Sequence, residues 1–514
     1  MSATGKDATV SGSGFAHLEA SVSGLQAEMS AGRLSARALT AAYIERIRSL
    51  DQLGPAISSV LELNPDALDI AEALDQERRA SGPRGPLHGI PVLVKDNIAT
   101  ADRMETTAGS LVLVGVKVAR DAHLVGRLRE SGAVILGKTN LSEWANIRSS
   151  RSTSGWSARG GLTRNPYALD RNTSGSSSGS AAAITANLAT VAVGTETDGS
   201  IVSPCSINGL VGLKPTVGLV SGDGIIPISH TQDTAGPMTR SVADAAALLG
   251  ALVDPAPPDG PGAARPTDFT PFLDASGLAG ARLGVVRTEL AGCPGVKEVF
   301  DRALATLEAQ GAILVDPVEL KLADGLEEAE LEVLLHELKA GLRAWFAQFA
   351  PEAPVATLRE LIAWNEANRG AEMPWFGQEH FEEAESRGEL NTQRYLDALA
   401  TCGRLARDEG IDPALQGHDL DALVAPTSGP AWMTDLVNGD CHTTGFSTPA
   451  AVAGYPHLTV PSGSVHGLPV GLSFVGPAWS EPLLIRLGYS FEQAAQARRP
   501  PTFAPTLALE GPGR

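Results

Sequence analysis

The stretch from Asn172 to Ser200, NTSGSSSGSAAAITANLATVAVGTETDGS, restricts the fold more than any other part of the chain. Residues 178–183 read SGSAAA, so whatever they form must pack closer to its neighbours than ordinary side chains allow. A β-branched run, Thr190 to Val193, follows and predicts a strand. Serine and glycine crowd both ends, so hydroxyls and backbone N–H groups can meet at one point, as attack on a carbonyl requires. A plain Ser/Gly linker would not run into an alanine-rich packed segment and then into a strand with a second glycine turn.

The balance of 40 basic against 59 acidic residues gives a net charge of −19. That disfavours nucleic acid as a partner, because phosphate backbones need a basic surface. Small-molecule or peptide partners suit it better. With 43% hydrophobic residues the chain can bury a large core. The four cysteines are far apart, without a C-x-x-C pair, and the histidines form no H-E-x-x-H pattern. Neither a disulfide framework nor a zinc site is implied, so no metal and no cofactor is expected. No apolar run reaches membrane-spanning length and no signal-like start is present, so the expected location is cytoplasmic, without membrane association.

Along the chain, residues 1–14 are Ser/Gly/Thr-rich and expected to be disordered. Leu18, Val22, Leu25 and Met29 recur at helical spacing, and Ser35 can cap a second helix. Asn64 followed by Pro65 reads as the start of a third. Short apolar runs at Pro91–Val94, Ala133–Leu136, Leu283–Val286, Ile313–Val315 and Ala422–Ala425 read as strands, with helices between them. The pattern is α/β. Trp144, Trp156 and the run SSRSTSGWSARGG suit either a pocket wall or loops covering the core. The Pro/Gly/Asp-rich segment 254–280 reads as a linker, residues 326–407 as a helical insertion, and Pro482–Gln496 as a closing helix. One domain over 15–500, followed by a flexible tail at 501–514, accounts for these features.

Two motifs fail their structural context. Gly132–Thr139, GAVILGKT, fits G-x-x-x-x-G-K-[ST], but four consecutive large apolar residues make a strand, not a loop that wraps phosphates. Gly175–Gly179, GSSSG, fits the nucleophile elbow G-x-S-x-G with Ser177 at its centre, yet a polar segment with a proline stands where a strand must precede it. Lys95, at the end of the Pro91–Val94 run, has two readings: a snorkelling surface lysine, or a desolvated amine able to act as a base. Ser200 follows a strand and the turn GTETDG, where the N–H groups of Thr197, Asp198, Gly199 and Ser200 itself can form an oxyanion hole.

The segments GIPVLVKDN, LGKTNLSEWAN, SGSSSGSAAA, VGTETDGSI, GLVGLKPTVGLVS and TAGPMTRSVAD, in this order and spacing, resemble the amidase signature family of serine hydrolases from about Leu18 to Ala495. The resemblance implies a single large α/β domain with a central mixed sheet of about eleven strands. It implies Lys95 as the catalytic lysine, Ser176, after a cis peptide bond, as the bridging serine, and Ser200 as the nucleophile. The family's spacing of 24 positions between the two serines selects Ser176 from its serine neighbours. Two weaker implications are that the Ala145 carbonyl receives the leaving NH2 and that Ser177 supports Lys95. This chain departs from the family pattern twice. Glu196-Thr197-Asp198-Gly199-Ser200 stands where D-x-G-G-S is common, and Val202 replaces a usual arginine. TETDGSIV, with LGKTNLSEWAN and DGIIPISHTQDTAGPM, is most similar to the peptide amidases, which hydrolyse C-terminal peptide amides. A broad acylamide or aryl-amide amidase is the alternative, followed by the glutamine-hydrolysing subunit of a tRNA-dependent amidotransferase. A monomer or homodimer is expected.

Overall fold

The computed structural model describes residues 15–254, 266–288, 290, 293–320, 324–442 and 445–508. The segment expected to be disordered (1–14), residues 255–265 of the proline-rich linker and the last six residues lie outside the described residues.

Among the described residues thirteen strands are formed: β1 (Val60–Leu63), β2 (Pro91–Lys95), β3 (Val134–Thr139), β4 (Trp156–Ser157), β5 (Gly161–Leu162), β6 (Val191–Glu196), β7 (Val211–Lys214), β8 (Thr234–Thr239), β9 (Arg282–Val285), β10 (Ile313–Val315), β11 (Ala422–Pro426), β12 (His457–Val465) and β13 (Leu468–Val475). Eleven join one mixed sheet in the order β1-β3-β2-β6-β8-β7-β12-β13-β11-β9-β10. The trio β3-β2-β6 is parallel, as is β11-β9-β10, with antiparallel pairs between them. Every residue of β2, β3 and β6 is buried, which explains their continuous apolar runs: parallel strands are covered on both faces.

The small-residue segment forms a helix, Ser178–Thr185, that is buried throughout and touches β1, β2, β3, β6 and β8. A Cβ on Gly179 would stand 2.4 Å from the carbonyl oxygens of Asn140 and Ser59, so only glycine lets this helix lie so close. The opening serine run is thereby pinned over the middle of the parallel trio.

One local reading is corrected and two are sharpened. The third helix begins at Ala67 and not at Asn64, because β3 holds Asn64: its N–H donates to Leu136 O at 2.8 Å and its amide to Ile135 O at 2.9 Å. The strand read over Ala133–Leu136 runs on through Gly137, Lys138 and Thr139, which removes those residues from any phosphate-binding loop. Trp144 and Trp156 are buried against Phe381 and Phe376 of the helical insertion, so of the tryptophan-bearing loop only its serine stretch reaches a cavity.

The insertion contains helices Leu326–Phe349, Leu358–Ala367, Glu379–Glu385 and Gln393–Gly403. It docks through buried polar contacts. Arg148 pairs with Glu143 at 3.2 Å and donates to the Glu372 carbonyl, while Glu337 accepts from Ser229, Thr231 and Tyr395. Among the described residues no helix is long and apolar enough to cross a membrane.

Candidate active site

Lys95 ends β2 with no solvent exposure, which decides against the snorkelling reading. Its Nζ lies 2.7 Å from Ser176 Oγ, 2.9 Å from Thr195 Oγ1 and 3.3 Å from the Thr195 carbonyl. Asn97 Nδ2 also donates to Thr195 Oγ1, at 3.0 Å. Burial brings the Lys95 amine down to about 7, against the opposing charges of Asp233 and Glu196. A neutral amine has two N–H groups and one lone pair. Thr195 offers two acceptors for the former, which turns the lone pair toward Ser176.

Ser176 is fully buried and follows a cis bond from Gly175. Its carbonyl accepts from Ser142 N at 3.0 Å. A Cβ on Gly175 would lie 2.2 Å from Ser142 Oγ, so a larger residue would push that hydroxyl off the Gly155 N–H that donates to it. Ser177 N donates to the Ser200 carbonyl at 3.2 Å, which ties the two serine segments together. The Ser177 hydroxyl donates to Thr195 O and accepts from Thr195 N, so it reaches Lys95 only through Thr195. That hydroxyl, buried and engaged on both sides, is no nucleophile of an elbow. Ser200 is 7% exposed, and its hydroxyl makes no hydrogen bond among the described residues.

The turn before Ser200 is braced by acids. Glu196 accepts from the N–H groups of Gly199 (3.0 Å), Ile201 (2.7 Å) and Val202 (3.0 Å). Burial pushes the Glu196 carboxyl up, opposed by the Lys214 charge and by these backbone donors. One expectation changes here: the Gly199 N–H is already taken, so it is not a free oxyanion donor. The Thr197 hydroxyl donates to Asp233 at 2.6 Å, and Asp233 also accepts from Ile228 N and Ser229 N. Burial pushes the Asp233 carboxyl up to about 6. Gln232 bridges the Thr197 carbonyl (3.4 Å) and Glu330 (2.8 Å) on the insertion helix.

Asp198 lines a cavity of about 1200 Å³ together with Gly175, Gly199, Asn146, Trp432 and Phe446. Ala145 lies beside this site in a left-handed turn, Trp144 to Asn146, and its N–H donates to Ser142 O at 2.8 Å. Thr195, Asn97, Asp233, Gln232 and Glu330 escaped the sequence reading. A threonine five positions before the nucleophile, in the strand that presents it, was the one local signal available. Among the described residues no group of three His, Cys, Asp or Glu side chains is placed to hold a metal.

The family model described as Amidase matches residues 38–485. A probable amidase of Arabidopsis thaliana is 42% identical over 504 residues, covering 95% of this chain and 92% of the relative. A glutamyl-tRNA(Gln) amidotransferase subunit from Symbiobacterium thermophilum is 33% identical, covering 94% and 97%. The crystal structure of native peptide amidase from Stenotrophomonas maltophilia superposes with a TM-score of 0.91 at 53% identity, covering 95% of this chain and 99% of that one. A peptide amidase bound to the competitive inhibitor chymostatin matches at 0.91 and 54%. The chain therefore belongs to the amidase family and is an amide-hydrolysing enzyme.

Proposed function

We propose that this enzyme releases ammonia from C-terminally amidated peptides through Lys95, Ser176 and Ser200. Neutral Lys95 takes the Ser176 proton as Ser176 takes that of Ser200, and Ser200 Oγ attacks the carboxamide carbon. The N–H groups of Thr197, Asp198 and Ser200 hold the developing oxyanion. The proton returns through Ser176 to the leaving nitrogen, with the Ala145 carbonyl accepting from the departing NH2. Water then enters, gives its proton to the same relay, and cleaves the acyl–Ser200 ester to a free carboxylate.

The observation that carries the chemistry is the fully buried Lys95 amine 2.7 Å from Ser176 Oγ, with the acceptors for its N–H groups both on Thr195. The substrate class is supported by the 53–54% identity to peptide amidases and by a cavity far larger than free glutamine needs. The test is ammonia or amine release from peptide amides, free glutamine and aryl amides by protein from a sizing column. Release from peptide amides by the isolated chain is expected. Turnover of glutamine alone would move the assignment to the amidotransferase subunits.

A further inference from the structure

The Asp198 side chain is not used by the relay above, yet it faces the cavity two residues before Ser200. Its carboxyl is fixed in place: the Thr448 hydroxyl donates to Oδ2 at 2.6 Å, and the Ser447 hydroxyl lies alongside. The other oxygen, Oδ1, is enclosed and has no well-formed hydrogen bond. A buried carboxylate oxygen short of donors is costly, so one on a residue that lines the substrate cavity fits a donor brought by the substrate. In a peptide amide, the N–H on the Cα next to the scissile carbonyl lies two bonds from the attacked carbon. Apart from the hydrogens of the departing NH2, it is the polar hydrogen carried closest to the turn that bears Ser200. Simple acyl and aryl amides lack it.

We infer that Asp198 Oδ1 accepts the backbone N–H of the substrate residue bearing the scissile carboxamide, which makes Asp198 the group that selects peptide amides over plain acyl amides. The inference rests on the peptide-amide reading above. Two further carboxyls surround the position. Glu327 lines the same cavity, and Glu330, whose burial beside Asp198 pushes it up to about 8, stands behind it. Glu330 is then mostly protonated near neutral pH, which spares Asp198 a second buried negative charge.

The experiment compares ammonia release from N-acetyl-phenylalaninamide with release from 2-acetoxy-3-phenylpropanamide, in which oxygen replaces that N–H. The parent enzyme is expected to prefer the first by about 10- to 100-fold in kcat/KM, the range for a hydrogen bond to a charged group. Asp198→Ala should lower activity on the first substrate by far more than on the second, which brings the ratio within about threefold. Thr448→Val, which frees Oδ2, should shrink the ratio partway, mainly through KM, and serves if Asp198→Ala does not fold. Proportional losses on both substrates in the variants would overturn the inference, because a merely turn-stiffening residue acts on both alike. So would a parent that treats the substrates equally. A parent inactive on N-acetyl-phenylalaninamide and other peptide amides would overturn the peptide-amide reading itself.

Discussion

Lys95 and Lys138 sit on adjacent parallel strands, where Val94 is paired with Lys138 and Lys95 with Thr139. Both are fully buried, and burial lowers both amines, to about 7 and about 8. Their partners differ. Lys138 donates to the Ile98 carbonyl and the Thr106 hydroxyl, with the charges of Asp96 and Asp102 holding its amine up. Lys95 has Thr195 on one side and the hydroxyl of Ser176 on the other. A buried lysine is therefore not a base by burial alone. It becomes one when its lone pair meets a hydroxyl that can pass a proton on.

The sharpest way to break this contrast is to remove each amine in turn. Lys95→Met should cut kcat by about 10⁴-fold or more, as loss of a member of a relay does, and Ser200→Ala should do the same. Lys138→Met should leave kcat per folded molecule within about threefold while lowering Tm, because Asp96 loses a cation that favours its ionised form. Ammonia release and thermal melts measure both. Thr195→Val should cost about 10²-fold in kcat with little change in KM, since one of the two acceptors that aim the lone pair is lost. Thr195→Ser should restore most of it. Asp233→Asn should have a smaller effect, about three- to tenfold, acting through Thr197.

The pH dependence carries a definite sign. Lys95 must be neutral to act, so kcat/KM should fall about tenfold per unit below pH 7 and level off above it. For stability, both lysines have folded values below the ordinary 10.5, so the unfolded chain binds more protons between about pH 7 and 10.5. Unfolding free energy attributable to them should therefore rise with pH across that window. Lys95→Met should flatten the rise from pH 7 upward and Lys138→Met from about 8, read as Tm against pH.

Six of the thirteen described strands were legible as short apolar or β-branched runs; β2, β3, β6 and β11 among them are buried along their whole length. The α/β architecture and the catalytic candidates also came from sequence, but by different routes. Local pattern could not choose among five clustered serines; the 24-residue spacing to Ser200 did. What stayed hidden was the bracing of the nucleophile turn. Asp233 and Glu330 lie 33 and 130 positions beyond Ser200, and no periodicity links them to Thr197. Asn64 misled for the opposite reason. Its capping chemistry is real, since its side chain accepts from Asp66 N at 3.0 Å, but pairing to β3 delays the helix.

The chemistry proposed for this enzyme stands on Ser200 as nucleophile and on Lys95, not its neighbour, as base. A fluorophosphonate probe, followed by peptide mass spectrometry and by labelling rate against pH, tests it directly. The expected outcome is a single adduct on Ser200, a rate that rises through an apparent pKa near 7, near-complete loss of labelling in Lys95→Met, and the parent rate in Lys138→Met. An adduct on another serine, or Lys95→Met labelling at the parent rate, would contradict it.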